Sequence, residues 1–115
     1  VRSDDEIARA NQIAELAGLH ARVLDDKAMK TGGSVTISTM HLAKGLEFRY
    51  VAVVACDDEV IPSQIRIEEI TDQADLEEVY NTERHLLYVA CTRARDGLIV
   101  TGVDPCSEFL DDLLE

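Results

Sequence analysis

Val35-Thr36-Ile37-Ser38-Thr39-Met40-His41-Leu42-Ala43-Lys44-Gly45-Leu46-Glu47-Phe48 is the stretch that decides the fold. Val35 and Ile37 alternate as a short buried strand should, Ser38 and Thr39 make a polar turn, and Lys44-Gly45 reads as a hinge. A carboxylate, Glu47, follows at once. The run thus sets a hydroxyl, an imidazole, an ammonium, a permissive glycine and an acid at the end of one strand. In open α/β sheets, ligands gather at the carboxyl ends of strands.

Downstream, Tyr50–Ala55 is nearly all apolar, as expected of a central parallel strand covered on both faces. Upstream, Ser34–Ser38 and His20–Leu24 read as strands, joined by a polar loop over 25–33. Before them, Ser3 and Glu6 have capping-box spacing ahead of a helix with an apolar side (Ile7, Ala8, Ala10, Ile13, Ala14, Leu16, Ala17). Gly18 is its expected terminator. Thr39–Lys44 is expected to form a helical turn, and Asp57–Asp72 a long acidic loop containing Pro62. Ala74–Ala94 is the longest helical stretch, Gly97 marks a turn, and Leu98–Thr101 is another strand. Pro105–Leu114 closes the chain as a short helix with Asp104 at its cap. This order predicts an α/β sandwich with a mostly parallel sheet flanked by helices, and 115 residues suit one domain.

The net charge of −12 argues against an autonomous nucleic-acid binder, which usually carries a basic face, while leaving room for a few local phosphate contacts. Cys56, Cys91 and Cys106 stand far apart without a CxxC, which suits free thiols in a reducing cytoplasm. His20, His41 and His85 complete no metal-ligand spacing with them. No apolar run approaches the ~20 residues that span a bilayer, so no membrane partner is expected. Val1 stands in place of an initiating Met, directly before polar residues, which suggests an excised fragment.

Residues 35–48 closely resemble motif V of the UvrD/Rep/PcrA branch of superfamily 1 DNA helicases. A second block, Glu83-Arg84-His85-Leu86-Leu87-Tyr88-Val89-Ala90-Cys91-Thr92-Arg93-Ala94, resembles motif VI, and the two stand in family order. The resemblance implies that residues 1–115 are a C-terminal, second RecA-like motor domain of the P-loop NTPase type, without a Walker A loop of its own. The parent would be an ATP-dependent helicase moving 3′-to-5′ on single-stranded DNA. Its partners would be the N-terminal RecA-like domain of the same protein, single-stranded DNA and ATP, with Mg-ATP held mainly by that N-terminal domain. By the same resemblance Arg93 is the arginine finger, Gly45 and Glu47 meet the nucleotide, and Thr39 and His41 face the DNA track. Three departures stand out: His85 where many members have arginine, Ala90-Cys91 for a more frequent Gly and aliphatic residue, and the short 25–33 loop where larger members insert an accessory subdomain.

The chemistry of each residue supports those roles to different degrees. An arginine offers phosphate oxygens a planar charged fork, and such a group stabilises charge during phosphoryl transfer. The competing role for Arg93 is a helix-end cation favoured by the macrodipole, which suits Arg95 better. A carboxylate such as Glu47 accepts two hydrogen bonds, which suits ribose hydroxyls; the plainer reading is a solvated surface acid. Lys44 could pair with Glu47 or a phosphate, or sit in solvent. Thr39 and His41 could donate to phosphate, against a local cap and a packing ring. Glu83 falls on the apolar stripe of Leu76, Val79, Tyr80, Leu87 and Ala90, so it must be paired or reach water. Its expected partners are Arg84 or Arg93, with the stripe's edge as the equal alternative, and Tyr88 is expected in the core. Val51–Val54 with Cys56-Asp57-Asp58-Glu59 imitates a Walker B strand. No G-x-x-x-x-G-K-[ST] cradle accompanies it, so the acids are expected to form a solvated loop and the fragment alone to be inactive.

Two readings of other classes compete. One is a non-catalytic α/β interaction or regulatory module with a degenerate helicase-like fold, its acidic surface favouring a basic protein partner. The other is a receiver-like domain using Asp57 or Asp58, which needs a lysine after Leu98–Thr101 that the sequence lacks.

Overall fold

A computed structural model of the chain describes residues 1–23, 35–42 and 45–113, with side chains as far as Asp111. The predicted 25–33 loop, Lys44 and the last residues of the C-terminal helix lie outside these. Helix α1 (Ile7–Leu16) follows a 3-10 turn at Asp4–Glu6. Ser3 is extended there but makes no side-chain cap bond, so the predicted capping box does not form. The Glu6 N–H bonds the Ser3 carbonyl at 3.1 Å instead. The far end matches expectation. The Gly18 N–H reaches Glu15 O at 3.0 Å and the Leu19 N–H reaches Ala14 O at 2.9 Å, the paired bonds of a Schellman stop. Ala10 and Ala14, one turn apart, bury against Ile37. Leu16 is 87% exposed, off that face.

Strand β1 (Ala21–Val23) pairs in parallel with β2 (Val35–Ile37), Ala21 opposite Val35. Strand β3 (Phe48–Val53) pairs in parallel with β4 (Ala94–Val100), Val53 opposite Val100, with an irregularity between Phe48 and Tyr50. Among the described residues every strand pairing is parallel, as expected, but the strands make two two-stranded sheets rather than one. Among these residues strand β3 pairs on one side only, rather than lying as a covered central strand, and Tyr50 is 70% exposed.

Helix α3 (Gln73–Cys91) starts where the Asp72 carboxylate accepts the Ala74 N–H at 2.8 Å. Val79, Glu83, Leu87 and Ala90 are its buried positions, spaced at three and four residues so that they share one face. Leu87 and Ala90 meet Met40, Val53, Cys56, Ile61 and Phe109 in the main core. Burial there pushes the Cys56 thiol up to about 11, which keeps it protonated and inert. Tyr88 is not in this core, contrary to expectation. It is 65% exposed, because one residue beyond Leu87 is about 100° round the helix. Tyr80 is the aromatic that packs, edge-on to Phe109 at 6.1 Å.

Three further expectations need correction. The predicted acidic loop contains a short helix, α2 (Gln64–Glu68). Gly97 is not a turn; it lies inside β4 opposite Tyr50. A Cβ there would stand 2.8 Å from Tyr50 Cδ1, so glycine lets the ring lie across the neighbouring strand. The last helix is a 3-10 segment, Glu108–Leu113. Its cap is Ser107 rather than Asp104: the Ser107 hydroxyl accepts the Phe109 N–H at 3.2 Å and donates to the Ile61 carbonyl. Ser107 N–H bonds Cys56 O at 2.8 Å, which stitches the tail to the end of β3.

Candidate nucleotide and nucleic-acid site

Helix α3 runs out at Thr92, and Arg93 sits at the corner before β4. The Phe48 N–H donates to the Arg93 carbonyl at 2.8 Å, which joins this corner to the start of β3. The Arg93 side chain turns back over it. Its Nε donates to Val89 O at 3.2 Å and its Nη1 to Leu46 O at 3.5 Å. Leu46 lies between two other candidates. Gly45 has φ +84°, a left-handed conformation natural to glycine, and nothing lies within 4 Å of where a Cβ would be. Glu47 is exposed. The structure thus brings the Gly45–Glu47 turn and Arg93 together, from stretches far apart in sequence.

Thr39 and His41 are placed differently. They follow the carboxyl end of β2, whereas Gly45–Glu47 and Arg93 stand at the amino ends of β3 and β4. The single strand-end cluster expected from sequence is therefore divided into two stations. Thr39 and Arg93 both line the groove between the two sheets. Thr39 is buried and its Oγ1 accepts the Leu42 N–H at 3.3 Å, so the local cap is made. His41 is exposed on that turn.

Glu83 corrects a further expectation. It braces neither Arg84 nor Arg93, and it is fully buried rather than at the stripe's edge. Arg2 grips it with two bonds, Nε to Oε1 and Nη2 to Oε2, both 2.9 Å. The Ser63 N–H reaches Oε1 at 2.7 Å and Arg66 Nη1 reaches Oε2 at 3.1 Å. Burial pushes the Glu83 carboxyl up, but Arg2, the Ser63 N–H and Arg66 together outweigh it and hold the group below its usual range. Arg84 instead lies over the Phe109 ring at 4.8 Å. Arg2 and Arg66 were not singled out from the sequence. The available signal was Glu83 itself, an acid on an apolar stripe that demanded cations.

Asp57 is likewise not a solvated loop acid. Arg9 of α1 holds its carboxylate, and the Val103 N–H donates to it at 2.7 Å. Arg9, with help from Val103, keeps the Asp57 carboxyl below its usual range despite partial burial. Asp58 and Glu59 are exposed, as expected. Among the described residues no group of three His, Cys, Asp or Glu side chains could hold a metal ion, and no helix is long and apolar enough to cross a membrane.

Parallel strand pairs backed by helices, with a basic corner where two sequence motifs meet, define a helicase C-terminal domain fold. The family model of the UvrD-like helicase C-terminal domain matches residues 2–104, and the chain belongs to that family. It is 38% identical over 107 residues to DNA helicase II of Rickettsia typhi, covering 91% of this chain and 16% of that protein. It is 35% identical over 109 residues to the ATP-dependent DNA helicase PcrA of Bacillus subtilis, covering 80% of this chain and 14% of the relative. The chain thus spans about a sixth of the length of the curated relatives it matches. In fold it is similar to the C-terminal domain of a "possible DNA helicase" from Lactobacillus plantarum WCFS1, with a TM-score of 0.63 and 24% identity over 95% of this chain and 56% of that one.

Proposed function

We propose that residues 1–115 form the second, RecA-like motor domain of an ATP-dependent DNA helicase that moves 3′-to-5′ on single-stranded DNA. The domain supplies one wall of an ATP site whose phosphate cradle belongs to an N-terminal RecA-like domain, since this chain has no Gly-Lys pair from which to build one. Arg93 is the finger on the γ-phosphate, Gly45 and Glu47 meet the nucleotide, and Thr39 and His41 contact DNA. Closure of two such domains around ATP would carry Arg93 onto the phosphate, and opening would reset the grip on DNA.

One observation carries this reading. Arg93 is held by two neutral carbonyls beside the Gly45–Glu47 turn, and among the described residues it has no carboxylate partner. A guanidinium so held keeps its full charge for an incoming anion.

The test is steady-state kinetics on the full-length protein that carries this domain. Arg93→Ala is expected to lower kcat by ~10³ or more with little change in ATP affinity, because a finger acts mainly on charge developed in the transition state. Arg93→Lys should rescue little, since a point charge does not reproduce the fork. Glu47→Ala removes a contact made in ground and transition states alike, so KM should rise with a smaller loss of kcat. An intact kcat in Arg93→Ala, or a larger kcat loss in Glu47→Ala, refutes these roles. The 115-residue chain alone should show no ATP turnover above background.

A further inference from the structure

Neither Thr39 nor His41 is hydrogen-bonded to Arg93 among the described residues. One neighbouring residue is nevertheless tied to both stations. The Met40 N–H, between Thr39 and His41, donates to the Val1 carbonyl at 2.7 Å. Arg2 follows Val1 directly, and its guanidinium closes on Glu83 of α3 with two bonds of 2.9 Å.

Each link of that route is stiff. A guanidinium forked on a carboxylate fixes the plane of the two groups as well as their separation, which a single charge contact does not. Arg2 is 8% exposed and Glu83 is fully buried, so water has little room to replace either. From Glu83 the helix runs unbroken to Cys91. The Arg93 N–H then bonds Ala90 O at 3.3 Å, and its Nε bonds Val89 O at 3.2 Å. Arg93 therefore rides on the last turn of the helix that Arg2 holds.

Stability alone accounts poorly for this pair. Taking two charges out of water is costly, and well-packed apolar residues of like volume often hold a fold as well or better. What the fork adds is one fixed geometry between the chain at Arg2 and the helix at Glu83. The other route between the stations is the packing of Met40 in the main core with Leu87 and Ala90. Such apolar contacts are non-directional.

We propose, on the DNA and ATP roles assigned above, that Arg2 is a positioning residue: its fork on Glu83 transmits the seating of single-stranded DNA at the Thr39–His41 turn to the helix that carries Arg93. DNA draws the turn, and the turn draws Val1 and Arg2. Arg2 then shifts α3 as a rod, which sets Arg93 against the γ-phosphate. Arg2 itself touches neither ligand.

The experiment measures ATP turnover of the full-length protein with and without single-stranded DNA, below the unfolding temperature of every variant. Arg2→Met keeps the apolar stem and Arg2→Lys keeps the charge, and both lose the fork. Asp57→Ala breaks the pair with Arg9, which loosens the fold away from this route, and serves as the control. Both Arg2 variants should lose DNA stimulation by about tenfold, with turnover in the absence of DNA and the Kd for DNA close to native. Asp57→Ala should keep its stimulation. DNA should also slow exchange of the Ser63 amide, which is bonded to Glu83, in the native protein and not in Arg2→Met. Full stimulation in either Arg2 variant overturns the proposal and leaves the coupling to the packing of Met40. An equal loss of turnover without DNA, or the same loss of stimulation in Asp57→Ala, also overturns it and makes the pair purely structural. A native protein whose turnover DNA does not raise refutes the DNA and ATP roles themselves, and the proposal with them, before any substitution is compared.

Discussion

Two charged corners of this domain are built on opposite principles. At Glu83, a fully buried carboxylate meets two arginines and a backbone N–H. At Arg93, a half-buried guanidinium meets, among the described residues, the carbonyls of Val89 and Leu46 and no carboxylate. A buried charge stripped of water is tolerable only when the protein supplies counter-charge and hydrogen bonds. Glu83 is satisfied in that way and has nothing left to offer a ligand. Carbonyl dipoles orient the Arg93 cation without neutralising it, so its charge remains available. The difference separates an ion pair that holds the fold from a cation suited to an anionic substrate, although both lie inside the same sequence motif, Glu83 to Ala94.

Substitutions can break or sharpen that contrast. The largest stability effect is expected from Glu83→Ala, which leaves Arg2 buried without its partner and should cost about 3–5 kcal/mol, read by urea denaturation. Acid titration should reach the same corner. The folded-state pKa of Glu83 is depressed from an unfolded value of about 4.3. Its contribution is therefore complete above that value and lost as pH falls through the folded pKa. A thermal midpoint that declines only below about pH 4.5 in the native chain, with a flatter decline in Glu83→Gln, is the expected outcome. Asp57→Ala removes a partly exposed pair with Arg9 and the bond to Val103, so a loss of about 1 kcal/mol is expected. Arg93→Ala should change stability least, within about 0.5 kcal/mol. A loss as large as that of Glu83→Ala would erase the contrast and make Arg93 a structural residue.

Much of this was legible in the sequence where local rules govern. Gly18 stops α1 through bonds its neighbours make along the same helix, and the stripe of α3 follows from helical spacing. The meeting of Arg93 with the Gly45–Glu47 turn was anticipated through motif resemblance rather than spacing. What escaped depends on contacts distant in sequence. An acid on an apolar stripe shows that it needs cations but not which ones, and Arg2 lies at the other end of the chain from Glu83. Asp57 reads as a loop acid until α1 brings Arg9 to it. Gly97 reads as a turn because glycine usually marks one, whereas Tyr50 on the next strand uses the missing side chain. An apolar run such as Tyr50–Ala55 signals eventual covering on both faces and leaves open whether a second neighbour is already in place.

The bond between Arg2 and Glu83 spans 81 positions of sequence, and that separation bears on the order of events in folding. Contacts so distant require nearly the whole chain to be in place, and their loop-closure cost falls before any reward. The pair is thus expected to form on the native side of the folding barrier. Arg2→Met, which keeps an apolar stem against the same surroundings, should steepen escape from the native state and leave the rate of arrival unchanged. In stopped-flow measurements the unfolding limb should rise while the folding limb stays in place. Arg2 would then act as a clasp, governing how long the native domain persists rather than how fast it is reached.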